Sequence, residues 1–310
     1  MSIQRATKPA AEPILIKNQK KYIIKSMKVI RRPQKIQDIV KKLRLKKFSI
    51  GLVPTMGALH SAHLSLIDRA RKENDIVIVS IFVNPKQFGP NEDYLRYPRP
   101  FKKDISLCKK HKVDYVFAPK VNEMYPEGYL TYVNVEKISD ILCGKFRPGH
   151  FRGVATVVTK LFNITLPHRA YFGEKDYQQL KIIQKMVKDL NFPVEIVPCK
   201  TVREPDGLAM SSRNLYLNDV ERRNANKIYL ALKEISELIS SKKIKNVVLA
   251  KEFFRKKIEE IPGARIDYIE ICEPETLDIL RGNIILPARI LTAVWIGNTR
   301  LIDNIEVKTG

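Results

Sequence analysis

Long apolar runs are missing from this sequence, and so are paired cysteines. No apolar stretch reaches the roughly 18–20 residues that a membrane-spanning helix needs. The apolar pieces near the start are too short for the core of a secretory signal. The cysteines, Cys108, Cys143, Cys199 and Cys272, are far apart and form no C-x-x-C pair. We therefore expect a cytoplasmic protein with reduced thiols and no membrane partner.

Acidic residues are also scarce, since 33 Asp and Glu stand against 56 Lys and Arg in 310 residues, a formal net charge of +23. Such an excess is typical of nucleic-acid-binding proteins, and also of enzymes with anionic substrates. The basic residues are spread along the chain rather than gathered in one patch with aromatic residues. This distribution favours an enzyme, with RNA binding as the alternative.

The chain has no internal repeat and no low-complexity tract. Residues 1–26 are basic, contain Pro9 and Pro13 and lack a regular pattern, so we expect a disordered basic leader. From Met27 onward, apolar runs alternate with amphipathic stretches. We predict strands at 50–53, 76–83, 115–117, 170–172 and 194–197, and helices at 34–43, 65–73, 101–111, 154–162 and 178–190.

This alternation predicts the α/β class: a Rossmann-like parallel sheet with helices on both faces, built from right-handed βαβ units. The order of predicted strands and helices changes after about residue 201. We predict helices at 220–240 and 248–261, and strands at 266–271 and 291–296 with residues 283–286 between them. These elements indicate a smaller C-terminal α+β domain, so the domains are placed at 27–201 and 202–310.

The stretch Ile50–His63 leads from a predicted strand into a predicted helix, and Pro54 and Gly57 break its apolar run. The junction exposes backbone N–H groups and the positive end of a helix dipole, which suits a phosphate. Positions three apart share one helix face, so His60 and His63 can reach the same ligand. A zinc site is the alternative, but no further Cys or His stands nearby to complete it.

Polar side chains follow two more predicted strands. Gln87 offers a donor and an acceptor to a hydroxy acid. Gly173 lets the backbone approach a ligand closely, and Lys175 provides a point charge for a phosphate. Asp176 either caps the next helix or holds a hydrated Mg²⁺. Gln179, in the first turn of that helix, is placed to meet Gln87.

Two polar loops complete the set. Residues 144–153 contain three glycines and several basic residues, which indicates an anion-handling loop or a mobile basic surface loop. Residues 203–214 place two serines and Arg213 after a turn-forming Pro-Asp-Gly. Hydroxyl and guanidinium groups together can hold a triphosphate while charge builds on a leaving pyrophosphate. The same stretch also suits a hinge between the domains.

Taken together and in this order, the motifs are very specific. Residues 54–60, 82–88, 149–154, 172–179 and 206–214 resemble the pantoate–β-alanine ligase family of the nucleotidyltransferase superfamily, and the resemblance covers nearly all of 27–310. One position departs from the family pattern His-x-Gly-His, because Ala62 stands where the family has glycine. We expect its methyl group to weaken ATP binding slightly or to shift the nucleotide, while both histidines stay in place.

The resemblance implies ATP-dependent joining of (R)-pantoate to β-alanine, with pantothenate, AMP and pyrophosphate as products and a pantoyl adenylate as intermediate. It also implies Mg²⁺ carried on the phosphates rather than by a protein metal site, and a homodimer. Nucleic acid is not an expected partner. Another adenylyl-transferring enzyme on the same fold is the alternative.

The resemblance further assigns roles to individual residues. It implies catalytic roles for His63 as proton donor, for His60 and for Lys175. Pantoate would be held by Gln87 and Gln179, and β-alanine by Gln87. ATP would be held by Met56, Gly57, Ala58, Leu59, His60, Ser61, Ala62, His63, Gly173, Glu174, Lys175, Asp176, Val202, Met210, Ser211, Ser212 and Arg213. The domain at 202–310 would close as a lid.

Overall fold

The computed structural model describes residues 26–309, so the predicted leader lies outside it apart from Ser26. Six strands form the larger sheet: β1 (Lys28–Ile30), β2 (Ile50–Thr55), β3 (Ile76–Ile81), β4 (Tyr115–Phe117), β5 (Arg169–Gly173) and β6 (Glu195–Cys199). Their order is β1-β4-β3-β2-β5-β6, and every pairing is parallel. The predicted parallel α/β sheet is confirmed. The sequence pattern missed only β1, an edge strand of three residues in which Ile30 alone is buried, whereas all three residues of β4 are buried and apolar.

Helices cover both faces of this sheet: α1 (Pro33–Leu45), α2 (Ser61–Glu73), α3 (Phe101–Lys110), α4 (Val121–Met124), α5 (Cys143–Phe146), α6 (His150–Thr165) and α7 (Tyr177–Asp189). In β3, Ile76 and Ile78 join the core formed with α1, α6 and α7. Val77 and Val79 join the core formed with α2 and α3 on the opposite face. A strand buried on both faces has a continuous apolar sequence, which is why β3 was predictable.

The chain changes its direction of travel across the sheet between β2 and β5. From β2 it proceeds through β3 to β4 on one side, and later through β5 to β6 on the other. In open parallel sheets, ligands bind beyond the carboxyl ends of the strands at such a reversal. The segments after β2, β3 and β5 carry most of the predicted site residues, and residues 202–213 follow β6, so the fold brings these segments to one crevice.

A separate antiparallel sheet of three strands lies in the C-terminal part, in the order β7-β8-β9. The elements here are α8 (Asp219–Ala225), α9 (Lys227–Ser240), α10 (Val247–Glu259), β7 (Ala264–Cys272), β8 (Ala288–Ile296) and β9 (Thr299–Val307). The predicted smaller α+β part is confirmed in its class. The boundary between residues 201 and 202 stays a prediction.

Two predicted elements in this part differ in the structure. The single helix predicted at 220–240 is two helices that meet at Asn226, whose side-chain N–H donates to the carbonyl of Asp206 at 3.5 Å. Residues 283–286 form no strand of the sheet and make one isolated bridge, between Asn283 and Asn246. The third strand is β9, which the sequence analysis did not identify.

Both faces of the small sheet are buried. In β8, Ile290, Val294 and Ile296 pack with α9 and α10. Leu291 and Ala293 point the other way and join the core beneath the large parallel sheet. The two sheets therefore share a hydrophobic core.

Among residues 26–309, no helix combines the length and the apolar character needed to cross a membrane.

Candidate active site

Two adjoining cavities lie at the predicted crevice. The smaller has a volume of about 220 Å³ and lies at the carboxyl ends of β2, β3 and β5. The larger, about 770 Å³, extends between the two sheets, and Arg147, His150, Lys175, Asp176 and Arg213 line both. The predicted residues that line the smaller cavity are Met56, His60, Ala62, His63, Gln87, Gly173, Lys175, Asp176, Gln179, Met210, Ser211, Ser212 and Arg213. Side chains from four separate loops thus converge on one space.

The two histidines lie at the start of α2. His60 is the residue that precedes the helix and His63 is its third residue, and their ring centroids are 4.1 Å apart. The backbone N–H of His60 donates to Nδ1 of His63 at 3.4 Å. In the neutral ring, the hydrogen of His63 is therefore on Nε2, which remains a donor.

Both imidazoles are neutral at pH 7. Burial, followed by the charge of Lys175, lowers the pKa of His60 from 6.5 to about 4. Burial, followed by the neighbouring His60 and then Lys175, lowers the pKa of His63 to about 3. Clustered groups with strongly shifted pKa values in a cavity are typical of a functional site.

Asp104, which the sequence analysis did not single out, fixes the turn that precedes the histidines. Its buried carboxylate accepts the backbone N–H groups of Ala58 at 3.0 Å and Leu59 at 2.8 Å. Gly57 and Ala58 have φ values of +86° and +50°, in the left-handed region that residues with a Cβ rarely adopt. The carboxylate offsets the strain at Ala58. In the sequence, Asp104 resembles any acidic residue in a first helical turn, and its partner is 46 positions away.

The side chain of Gln87 is held by two neighbours. Nδ2 of Asn84 donates to its Oε1 at 3.0 Å, and its Nε2 lies 3.1 Å from the sulfur of Met56. Asn84 also donates to the carbonyl of Gly153 in α6 at 3.1 Å. A Cβ on Gly153 would lie 2.1 Å from the carbonyl oxygen of Lys86, so only glycine permits this contact between α6 and the Gln87 turn.

The stretch 144–153 is not an open basic loop. It contains the end of α5 and the start of α6, and Arg147 donates Nε–H to Glu92 at 2.9 Å. Nδ1 of His150 donates to the carbonyl of Gln87 at 2.7 Å, and its Nε2 lies 3.1 Å from a guanidinium nitrogen of Arg147. Burial and Arg147 hold the pKa of His150 well below its usual 6.5. Arg147 and the neutral His150 support the Gln87 turn, which corrects the alternative interpretation as a mobile surface loop.

Lys175 lines both cavities, and its ammonium lies 3.6 Å from the carboxylate of Asp176. Asp176 precedes α7, but its side chain makes no capping hydrogen bond. The chain enters α7 directly from the 3-10 turn Glu174–Asp176, so the carboxylate does not reach the helix N–H groups. The capping role predicted for Asp176 is therefore wrong, and its carboxylate, 46% exposed, stays at the cavity wall.

Arg213 forms a bidentate ion pair with Asp93 in the same cavity. Its Nε and Nη2 donate to the two carboxylate oxygens of Asp93 at 3.0 and 2.8 Å. Burial alone would raise the pKa of Asp93, but the hydrogen bonds and charge of Arg213 outweigh it and lower that pKa below its usual value. Asp93 is a second residue that the sequence analysis missed, because its partner is 120 positions away.

The two serines beside Arg213 have protein partners. Oγ of Ser211 accepts the backbone N–H of Arg213 at 3.2 Å. The Ser212 hydroxyl donates to the carbonyl of Ala58 at 3.4 Å and lies 3.5 Å from the hydroxyl of Tyr97. This segment is thereby joined to the turn that precedes the histidines.

Six residues predicted to hold ATP do not line the smaller cavity: Gly57, Ala58, Leu59, Ser61, Glu174 and Val202. The N–H groups of Ala58 and Leu59 face Asp104, as described above. The carbonyl of Val202 accepts the N–H of Met210 at 3.0 Å, and the carbonyl of Glu174 accepts a side-chain N–H of Asn304 at 2.9 Å. No group of three or more His, Cys, Asp or Glu within residues 26–309 is arranged to hold a metal ion.

A sequence profile described as pantoate–β-alanine ligase matches residues 28–306. This chain belongs to the pantoate–β-alanine ligase family. Among curated relatives, the pantothenate synthetase of Caldicellulosiruptor bescii is 54% identical over 285 residues, which is 91% of this chain and 99% of the relative. That of a Sulfurihydrogenibium species is 55% identical over 284 residues, 90% of this chain and 100% of the relative.

Solved structures of the ligase family share the fold. The pantoate–β-alanine ligase of Thermus thermophilus has a TM-score of 0.86 and 46% identity, covering 91% of this chain and 100% of its own. The enzyme of Francisella tularensis, solved with β,γ-ATP and β-alanine, has a TM-score of 0.75 and 40% identity, covering 92% and 99%. The resemblance inferred from the motifs is thus confirmed at the level of the family.

Proposed function

We propose that this chain catalyses the ATP-dependent ligation of (R)-pantoate to β-alanine through a pantoyl adenylate. The observation that carries the proposal is the convergence of the His60–His63, Gln87–Gln179, Lys175 and Arg213 side chains on one cavity. Membership of the pantoate–β-alanine ligase family supports the choice of substrates. A ligase of this kind needs cations for a triphosphate beside neutral donors for a small hydroxy acid, and the cavity walls offer both.

In the first step, a carboxylate oxygen of pantoate attacks the α-phosphorus of ATP, and the bond to the leaving pyrophosphate breaks. Negative charge builds on the phosphate oxygens, and Lys175 provides a positive charge for it. His60 and His63 are neutral, so each gives a hydrogen bond without the desolvation cost of a buried cation. His63, with its hydrogen on Nε2, suits the role of hydrogen-bond donor to the leaving group. Full proton transfer from this ring would require its imidazolium form, which the negative charge of bound ATP would favour.

The nucleotide would lie along the start of α2, between Met56 and His63, and reach the turn Gly173–Asp176. Ser211, Ser212 and Arg213 would close over the triphosphate. Gly57, Ala58 and Leu59 would act through the backbone turn that Asp104 fixes. Val202 and Glu174 would contribute main-chain contacts at the edge of the site.

Pantoate would lie between Gln87, in the turn after β3, and Gln179, in the first turn of α7, which line the same cavity. Two amides from separate elements would fix the orientation of the attacking carboxylate, which lowers the entropic part of the reaction barrier. In the second step, the amine of β-alanine attacks the acyl carbon, AMP leaves, and the nitrogen loses a proton. Gln87 would contact β-alanine as well.

Mg²⁺ fits this site only as the partner of the triphosphate, because the described residues lack a metal-binding cluster. Mg²⁺ commonly keeps several waters and takes one or two carboxylates together with substrate phosphates. Asp176 is the carboxylate beside Lys175 that has no capping hydrogen bond, so it is available to water in the metal's coordination shell. Mg²⁺ would neutralise phosphate charge when bound.

We also propose a homodimer in the cytoplasm, with residues 202–310 closing the site against water. The four cysteines are buried free thiols, which supports a reducing compartment. Sedimentation of the purified protein tests the dimer directly.

The function is tested by incubating the protein with ATP, Mg²⁺, pantoate and β-alanine while AMP and pantothenate are followed. We expect both products in equal amounts, and pantoate-dependent pyrophosphate release without β-alanine. Release supported only by nicotinamide mononucleotide or phosphopantetheine would show a different adenylyl transferase. Salt-dependent RNA binding without ATP turnover would show the nucleic-acid-binding alternative.

A further inference from the structure

We propose that Asn304, in the C-terminal sheet, is a positioning residue for Lys175. Its side-chain Nδ2 donates to the carbonyls of Glu174 at 2.9 Å and Lys175 at 3.0 Å. Asn304 lies in the middle of β9 and is 4% exposed. The inference rests on the proposed role of Lys175 in holding phosphate, and it adds that a residue of the other sheet sets where that lysine stands.

The orientation of the Asn304 amide is determined by its surroundings. Its Oδ1 accepts Nε–H of Arg289 at 2.9 Å, so Nδ2 must face the Lys175 turn. The Arg289 guanidinium lies over the ring of Tyr177, 3.9 Å from its centroid, and Tyr177 is the first residue of α7. The side-chain amide of Asn304 is thus fully hydrogen-bonded, and a fully satisfied buried polar group is a rigid support.

The neighbouring residue in β9 holds the second phosphate-facing segment. Asp303 accepts two hydrogen bonds from Arg203, at 2.6 and 2.9 Å, and its Oδ1 also accepts the backbone N–H of Asn304 at 2.7 Å. Arg203 begins the stretch that leads to Arg213. Two adjacent residues of one strand therefore connect to the Lys175 turn and to the Arg213 stretch, which sets the separation of the two cationic segments.

Position matters here because catalysis by a point charge depends on where the charge lies. A displacement of about 1 Å at a reacting centre can cost roughly 100-fold in rate. The side chain of Lys175 makes one ion pair with a half-exposed carboxylate, so the backbone of its turn, rather than its side-chain contacts, fixes its place. Loss of the two hydrogen bonds from Asn304 would let this turn relax.

The test compares Asn304→Ala with the matched control Thr292→Val. Thr292 is fully buried, is the partner of Asp303 in the neighbouring strand β8, and donates its hydroxyl to the carbonyl of Tyr268 at 2.8 Å, away from the Lys175 turn. We expect Asn304→Ala to weaken ATP binding measured by calorimetry, and to slow pantoate-dependent pyrophosphate release, by about 10-fold or more. Pantoate affinity is expected to change less than about 3-fold. Thr292→Val is expected to lower the melting temperature without these kinetic changes.

A double-mutant cycle in ATP affinity separates positioning from a general structural role. If Asn304 acts through Lys175, Asn304→Ala adds little in a Lys175→Ala background. Additive effects of the two substitutions, or equal losses in Asn304→Ala and Thr292→Val, would overturn the inference. Should Asn304→Ala not fold, Asn304→Ser, which keeps a shorter donor, enters the same cycle.

The outcomes also distinguish this inference from the proposed function. A wild-type protein that releases no pyrophosphate from ATP and pantoate refutes the proposed function. A wild-type protein that does so, with an Asn304→Ala variant of unchanged ATP affinity and rate, refutes only the positioning role.

Discussion

Lys175 and Arg213 line the same cavity, but their positive charges are paired with carboxylates to different extents. Lys175 lies 3.6 Å from one carboxylate that is 46% exposed. Arg213 gives two hydrogen bonds, of 3.0 and 2.8 Å, to Asp93, which is 12% exposed. A cation that is already paired with a buried carboxylate gains less from an arriving phosphate than a weakly paired cation does. Under the proposed mechanism, Lys175 would stabilise developing charge, whereas Arg213 would contact the triphosphate from a position that its ion pair with Asp93 fixes.

The largest effect is expected from Lys175→Ala. Removing a donor aimed at developing charge commonly costs about 100- to 1,000-fold in rate, so we expect a loss of that size in adenylate formation. The measurement is pyrophosphate release under saturating ATP and pantoate. Lys185→Ala is the control, because Lys185 lies on α7, is 56% exposed and pairs with Asp189. A near-wild-type rate for Lys175→Ala would remove this lysine from the mechanism.

Asp93→Asn tests the second half of the comparison, the ion pair of Arg213, because it leaves Arg213 without its anionic partner. We expect the free energy of unfolding at pH 7 to fall by about 1.5–3 kcal/mol, the range for hydrogen bonds to charged groups. The pKa of Asp93 is lowered in the folded protein, so its contribution is present above its unfolded value and is lost as pH falls through the folded value.

Urea unfolding of wild type and Asp93→Asn at pH 7 and near pH 3.5 measures this contribution. The difference between the two proteins should shrink at the lower pH, where the unfolded wild-type chain begins to take up the proton at Asp93. A difference that does not depend on pH would show that the charge of Asp93 is not what stabilises the segment.

The titration of His60 and His63 tests the burial of the two rings, and its expected effect is smaller than those above. With pKa values of about 4 and 3, neither ring should titrate between pH 5.5 and 8 in the free protein. Bound ATP should raise both values, because an anion favours the imidazolium form. NMR of the histidine ring carbons follows this, with His60→Asn and His63→Asn to assign the signals. A midpoint near 6.5 in the free protein would contradict the burial described here.

Ala62→Gly should have the smallest effect. Ala62 lines the smaller cavity at the second position of α2, so removing its methyl group enlarges the space for the nucleotide. The glycine also makes the helix start less favourable, by up to about 1 kcal/mol relative to alanine. We expect ATP affinity to change only modestly and pantoate affinity to stay the same. A large change in pantoate affinity, measured by calorimetry, would show that Ala62 contacts a different ligand.

Much of the large sheet was predictable, because the residues that form each strand show the pattern within a short stretch of sequence. The apolar runs of β2 and β3 reflect burial on both faces, and the polar residues that follow each strand identify the crevice. His60, Gln87 and Lys175 were found for this reason. They lie where a strand ends, and a parallel sheet brings all such positions to one edge.

The remaining features depend on partners that are distant in sequence. Asp104 and Asp93 are ordinary surface-type residues until the fold places Ala58 and Arg213 against them. The strand β9 was missed because Asp303 and Asn304 interrupt its apolar pattern, and only the tertiary contacts make buried polar residues acceptable there. For Asp176, predicted either to cap α7 or to hold a hydrated Mg²⁺, the capping alternative fails for a local reason, because the 3-10 turn before α7 keeps its carboxylate away from the helix N–H groups.

The core shared by the two sheets has a consequence for how the molecule behaves when it is cut. Tyr268, Leu291 and Ala293 fill part of the hydrophobic layer beneath the parallel sheet. A single proteolytic nick near residue 201 would therefore leave two fragments that stay associated under native conditions. Expressed alone, the N-terminal fragment would expose a hydrophobic surface and would aggregate unless the C-terminal fragment were supplied.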